Sequence, residues 1–89
     1  GCTFRSIFVR ATNNNAANAA SNAITLTLVK NGVSTAMTVT VTPVAFNVTA
    51  SNSTTVNQVA VVAGDTVAFA LAQTSTSIFS TISTTINCN

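Results

Sequence analysis

The sequence predicts an all-β fold, an antiparallel β-sandwich of about six to eight strands whose first and last strands are neighbours. Three observations point there. β-Branched Val, Ile and Thr dominate the chain, while one Lys and no Glu leave little from which to build helices. Apolar and hydroxyl residues alternate with period two, with turn signals about every eight to twelve residues. Cys2 and Cys88 stand beside the two ends, where a clasp between terminal strands would sit. The 89 residues form one domain, small enough to need such a staple.

Residues 3–11, Thr-Phe-Arg-Ser-Ile-Phe-Val-Arg-Ala, read as a first strand with apolar groups on both parities. Phe4 and Phe8 lie on one face, Ile7 and Val9 on the other, so both faces are expected to be covered, by the core or by a partner molecule. Residues 12–22 are an Asn/Ala loop. Residues 23–30 alternate cleanly, with Ile24, Leu26 and Leu28 pointing one way and Thr25 and Thr27 the other. Asn31-Gly32 supplies the two positive-φ positions of a type I′ hairpin turn. The return strand, Met37 to Thr42, sends Met37, Val39 and Val41 inward and Thr38, Thr40 and Thr42 outward.

Pro43 stops that strand. Residues 45–54 read as an irregular connection with a short strand around Phe46 and Val48. A strand from Thr55 to Val62 leads into the turn Ala63-Gly64-Asp65, then a strand from Thr66 to Gln73 with Val67, Phe69 and Leu71 on one face. A Thr/Ser turn at 74–77 precedes the last strand, 78–88, where Ile78, Ile82 and Ile86 share a parity. With Cys2 opposite Cys88, antiparallel end strands would set Phe4 against Ile86 and Phe8 against Ile82. An intrachain Cys2–Cys88 bridge would close nearly the whole chain and contribute about 4–5 kcal/mol on the chain-entropy model. The same cysteines could instead weld neighbouring subunits.

Charged residues usually make up roughly a quarter of a soluble domain. Here there are four: Arg5, Arg10, Lys30 and Asp65, with no His, Tyr or Trp. One carboxylate, two cysteines and unactivated hydroxyls do not furnish general acid–base or nucleophilic catalysis, so no catalytic residues and no enzyme are expected. No cofactor and no metal site is expected either. Asp65 alone is too few oxygens for calcium, and its expected role is to accept hydrogen bonds from backbone N–H groups of its own turn. Three cations spread over positions 5, 10 and 30 do not make a basic stripe, so no nucleic-acid partner is expected. No apolar run approaches the roughly 20 residues of a membrane-spanning helix. Two sequons, at Asn47 and Asn52, could accept N-glycans in a secretory setting. The chain opens at Gly1 without Met, which leaves room for a removed leader or an upstream region.

Leu28-Val-Lys-Asn-Gly-Val33, the Thr/Val return strand, Val59-Ala-Val-Val-Ala-Gly-Asp-Thr-Val67 and the closing Ile78-Phe-Ser strand together resemble the jelly-roll domains that end collagen-like bacterial surface and phage fibre proteins, which are similar to the C1q/TNF-like fold. The resemblance covers about residues 23–86. It implies a jelly-roll-like sandwich displayed on a cell, spore or virion surface, commonly as a trimer. This chain has fewer aromatic residues than such domains and lacks the collagen-like Gly repeat. Similarity of type extends to the disulfide-linked jelly-roll subunits of bacterial spore appendages. The expectation is therefore an extracellular, non-enzymatic subunit of a self-assembling filament, appendage or layer, with copies of itself as partner. The alternative is a trimeric fibre-tip domain that binds glycans or host surfaces.

Overall fold

The computed structural model describes residues 1–13, 23–42, 48–73 and 79–89. They form seven strands: β1 (Cys2–Asn13), β2 (Ile24–Lys30), β3 (Val33–Val41), β4 (Thr49–Thr54), β5 (Val59–Val61), β6 (Val67–Gln73) and β7 (Phe79–Cys88). Every strand pairing is antiparallel. In one sheet β1 is central, with β4 and β5 end to end along one side of it and β7 along the other. The second sheet runs β3-β2-β6. The all-β sandwich and the adjacency of first and last strands are both as the sequence predicts.

The β2–β3 hairpin forms as its alternation demands. Asn31 (φ 52°) and Gly32 (φ 79°) take the left-handed conformations of the type I′ turn. The pairing shifts register between Thr27 and Val29, where β3 carries extra residues. There the Thr35 hydroxyl donates to the Leu28 carbonyl at 2.8 Å and accepts from the Met37 N–H at 3.2 Å, giving two backbone groups of the irregular stretch a partner. Ile24, Leu26 and Leu28 of β2 and Met37, Val39 and Val41 of β3 are all buried, against Phe4, Ile7, Val9 and Ala11 of β1.

That set of β1 residues corrects the expected faces of the first strand. Phe4 shares the core with Ile7 and Val9, whereas Phe8 is 40% exposed. The cause is a β-bulge. Between Phe4 and Ser6, β1 advances two residues while β7 advances one, from Cys88 to Asn87. Arg5 is the extra residue, and side chains beyond it swap faces. The Gln58 side-chain amide donates to the Arg5 carbonyl at 3.4 Å and accepts from the Arg5 guanidinium at 3.2 Å, filling the interruption. The expected register of the end strands changes with it. Phe4 pairs with Cys88, Ile7 with Ile86 and Ala11 with Ile82, rather than Phe4 with Ile86 and Phe8 with Ile82.

Two further boundaries move. The strand expected over Thr55–Val62 survives only at Val59–Val61, because the chain leaves β1 across the bulge, with Asn57 at φ 55°. The connection expected over 45–54 contains β4 at Thr49–Thr54, beyond Val48. Pro43, Phe46, Ile78 and the turn at 74–77 lie outside the described residues.

Candidate functional site

The two long sides of the sandwich end in different ways. On one side β3 passes over β1 and β4. Here the Asn52 Nδ2 donates to the Thr40 carbonyl at 2.8 Å, and the Asn57 Nδ2 donates to the Ala36 carbonyl at 3.2 Å. Two side-chain amides, one from β4 and one from the β4–β5 connection, thus occupy carbonyls of the edge strand of the second sheet. The inner rows beneath this seam are buried.

On the other side lie β6 and β7, each an edge strand of its sheet. Register fixes which of their residues face inward. Leu71 pairs with the buried Leu26, Phe69 with Leu28 and Val67 with Lys30, while Ile82 pairs with the buried Ala11 and Ile86 with Ile7. Paired residues share a face, so Val67, Phe69, Leu71, Ile82 and Ile86 all point into the space between the sheets. Phe69 is partly buried and meets Phe4 edge to face at 6.2 Å. The other four are 44%, 51%, 39% and 38% exposed. Among the described residues no hydrogen bond crosses from β6 to β7. Covering these four side chains would gain roughly 3–5 kcal/mol, at about 1.5–3 kcal/mol for each complete burial. Neither strand carries a charge or a proline, the usual devices that stop an edge from pairing with another chain. This open side is the candidate functional site.

None of the four charges lies on β6 or β7, but Lys30 is the cross-strand partner of Val67 and Arg10 that of Ser83. Arg5 donates to the Asn89 side chain at 2.6 Å and to Gln58, at the end where the termini meet. Lys30 donates to the Ala60 carbonyl at 2.9 Å, tying β2 to β5 across the two sheets, and stands 3.5 Å from Asp65. Asp65 accepts from the Val62 N–H at 2.9 Å, the backbone contact expected of its turn, and from the Asn31 Nδ2 at 2.9 Å, a contact between hairpin and corner that the sequence does not announce. Chiefly the Asn31 hydrogen bond, then that from Val62, hold the Asp65 carboxyl below its ordinary pKa; partial burial opposes them and Lys30 adds to them. Arg10 is exposed on the outer face of the first sheet, where it lines an open depression of about 280 Å³ with Thr12, Thr49 and Ser83.

Cys2 and Cys88 are bonded within the chain, with Cα atoms 5.5 Å apart. Thr3 and Asn89 exchange two backbone hydrogen bonds beside them, at 2.9 and 3.1 Å, which closes the sheet around the bridge. Of the two sequons, Asn47 lies outside the described residues. Asn52 is exposed on β4, but its Nδ2, the atom a glycan would take, is the one stitched to Thr40. On the outer face of the second sheet the threonines pair across strands, Thr25 with Thr40 at 2.9 Å and Thr27 with Thr38 at 3.0 Å. Among the described residues no three His, Cys, Asp or Glu side chains gather as metal ligands, and no helix is long and apolar enough to cross a membrane.

Sequence reasoning missed the open side, because alternation tells which residues share a face and not whether anything covers that face. It also missed the Asn52 and Asn57 seam, since nothing distinguishes these two asparagines from the many others. No protein-family description, no curated protein and no solved structure matches this chain.

Proposed function

We propose that this chain is a non-enzymatic structural subunit that associates with copies of itself through the β6/β7 side, building an extracellular filament, appendage or layer. The observation that carries the reading is the pair of inward-facing rows between two uncharged edge strands, apolar at Val67, Leu71, Ile82 and Ile86 with Thr84 and Gln73 among them, left exposed. An edge strand accepts another strand by backbone hydrogen bonds, and apolar side chains in register supply the burial. Charge complementarity narrows the occupant to something equally free of charge. A second copy meets that condition, because its own β6 and β7 carry none. A two-fold axis normal to the sheets would set β7 antiparallel to β7 of the other copy and β6 to its β6, so that both sheets and the apolar layer continue across a dimer, the unit from which a filament or layer grows through a second contact. The Cys2–Cys88 bond is of the kind kept in oxidising compartments, which supports placement outside the cytosol.

Sedimentation over a wide concentration range, with electron microscopy of the same material, tests this. Concentration-dependent growth from the 9.0 kDa species is expected. Leu71→Lys or Ile82→Lys should return the chain to a monomer that keeps its β circular dichroism. A 9.0 kDa particle at every concentration, in wild type and variants alike, would end the reading.

The second reading, a trimeric fibre-tip domain of the C1q/TNF-like kind that touches glycans, draws on the Arg10 depression with its three hydroxyl side chains. It requires a discrete trimer and a saturable glycan signal lost in Arg10→Ala. The absence of Trp and Tyr to stack on a sugar ring weighs against it.

A further inference from the structure

We propose that Asn31-Gly32 is a deamidation site of this chain, held in check by the contacts that Asp65 and Thr66 make with the Asn31 carboxamide. Asn31-Gly32 is the only Asn-Gly pair in the sequence. This pair is chemically the most exposed to the reaction, since glycine has no Cβ to obstruct its own nitrogen as it approaches the preceding side chain. A Cβ built on Gly32 would meet nothing within 4 Å, so the surroundings add no steric barrier.

The Gly32 nitrogen would attack the Asn31 Cγ, forming an N–Cγ bond. The Cγ–Nδ2 bond breaks, and ammonia leaves carrying the proton that the Gly32 nitrogen gives up. Water then opens the cyclic imide at either carbonyl, leaving aspartate or isoaspartate. Nothing is oxidised or reduced, and water is the only co-reactant.

What restrains this reaction is the occupation of both ends of the carboxamide. The Asn31 Nδ2 donates to Asp65 Oδ1 at 2.9 Å. The Asn31 Oδ1 accepts from the Thr66 N–H at 2.9 Å and from the Thr66 hydroxyl at 3.4 Å. Asp65 is itself anchored, by the Val62 N–H at 2.9 Å and by Lys30 at 3.5 Å. The amide plane is therefore fixed against the corner that leads into β6, and it must let go before it can turn onto the Gly32 nitrogen.

The products would damage the same place. An aspartate at position 31 sets a second carboxylate where an N–H now meets Asp65, converting attraction into like-charge repulsion. Isoaspartate lengthens the main chain of a two-residue turn whose geometry allows no extra atom. Either product loosens the Lys30–Val67 end of the β2–β6 pairing. The sole carboxylate of the chain thus serves chemical durability, whether or not the chain associates.

Peptide mass spectrometry of the intact, disulfide-bonded chain aged in mildly alkaline buffer reads the conversion at Asn31, with Asn52-Ser53 as an internal reference. Folded wild type should convert Asn31 much more slowly than the same chain reduced and denatured. Asp65→Ala should raise the folded rate roughly tenfold, the order expected on losing one charge-assisted hydrogen bond. Lys30→Met, which removes one other partner of Asp65 and leaves the Asn31 and Val62 hydrogen bonds in place, should change it little. Equal rates in folded and denatured wild type would overturn the proposal without any variant having to fold. So would an Asp65→Ala rate that stays at the wild-type value, or a Lys30→Met rate that matches Asp65→Ala. Asn31→Asp should lower amide-exchange protection at Lys30 and Val67; unchanged protection there would refute the predicted damage.

Discussion

On the β3/β4 side, Met37, Val39 and Val41 lie at 0–3% exposure under a seam of asparagine side chains. On the β6/β7 side, Val67, Leu71, Ile82 and Ile86, similar in kind and equally inward in direction, stand between 38% and 51% exposed. The rows on both sides obey the same alternation. What differs is closure: β4 and the β4–β5 connection send two amides onto the β3 edge, while among the described residues no such bridge links β6 and β7. Burial depends on what lies across the gap, and the molecule has finished only one of its two sides. The finished side supplies stability to the single chain. The open one, with its apolar side chains only about half covered, supplies less.

The largest test of that contrast is the disulfide, which holds open-side β7 to central β1 at its end. Cys2→Ser with Cys88→Ser should cost about 4–5 kcal/mol on the chain-entropy model, read by denaturant unfolding with intact wild type as reference. Amide exchange should show β7 losing protection before β2 and β3. If all strands lose protection together, the two sides are not separable in stability. A non-reducing gel adds a direct check, since the bonded pair predicts a monomer band with a mobility shift and no ladder.

Next in size is a matched pair of truncations. Leu28→Ala, at 0% exposure, should destabilise the monomer by about 2–5 kcal/mol through lost burial and a cavity. Leu71→Ala, on the neighbouring strand of the same sheet, should cost about 1 kcal/mol in dilute solution, because half of its side chain is already wet. The Leu71→Ala cost should grow with protein concentration, and that of Leu28→Ala should not. Equal costs at all concentrations would erase the distinction between the sides.

Asn52→Ala probes the seam itself. It removes the bond to the Thr40 carbonyl and should cost about 1 kcal/mol, with faster exchange along β3 and β4 and none on β7.

The smallest effect is pH dependence at the Asn31–Asp65 corner. The folded Asp65 carboxyl has a depressed pKa, so its contribution is fully present above the unfolded carboxylate value and is lost as pH falls through the folded one. Thermal stability should therefore be flat near neutrality and decline only in acid. Asp65 is the only acidic side chain, and with no His present Asp65→Asn should flatten the acid limb. A decline that persists in Asp65→Asn would place the titrating group elsewhere.

Particular elements show how far the chain could be read unaided. The β2–β3 hairpin was legible because its instructions are local: period-two alternation on both arms and Asn-Gly between them. Asp65 was legible as a turn residue bonded to its own backbone, but its bond to Asn31 depends on the hairpin docking against the corner before β6. The faces of β1 were misread because the bulge at Arg5 is not written in β1. It arises where β4 and β5 meet end to end along β1 and Gln58 fills the gap. The strand expected over Thr55–Val62 shrank for the same reason.

Composition and alternation by themselves determined that this chain is β-rich, nearly uncharged and without His, Glu, Tyr or Trp. They also determined which neighbours along most strands would share a face, because backbone geometry alone sends successive side chains to opposite sides. Only the tertiary structure decided that Cys2 and Cys88 bond within one chain, that Phe8 turns outward, and that one inward apolar surface is sealed while the other stands open. Those outcomes depend on which strands lie across from one another, and contacts between residues distant in sequence are set by the packing of the whole sandwich.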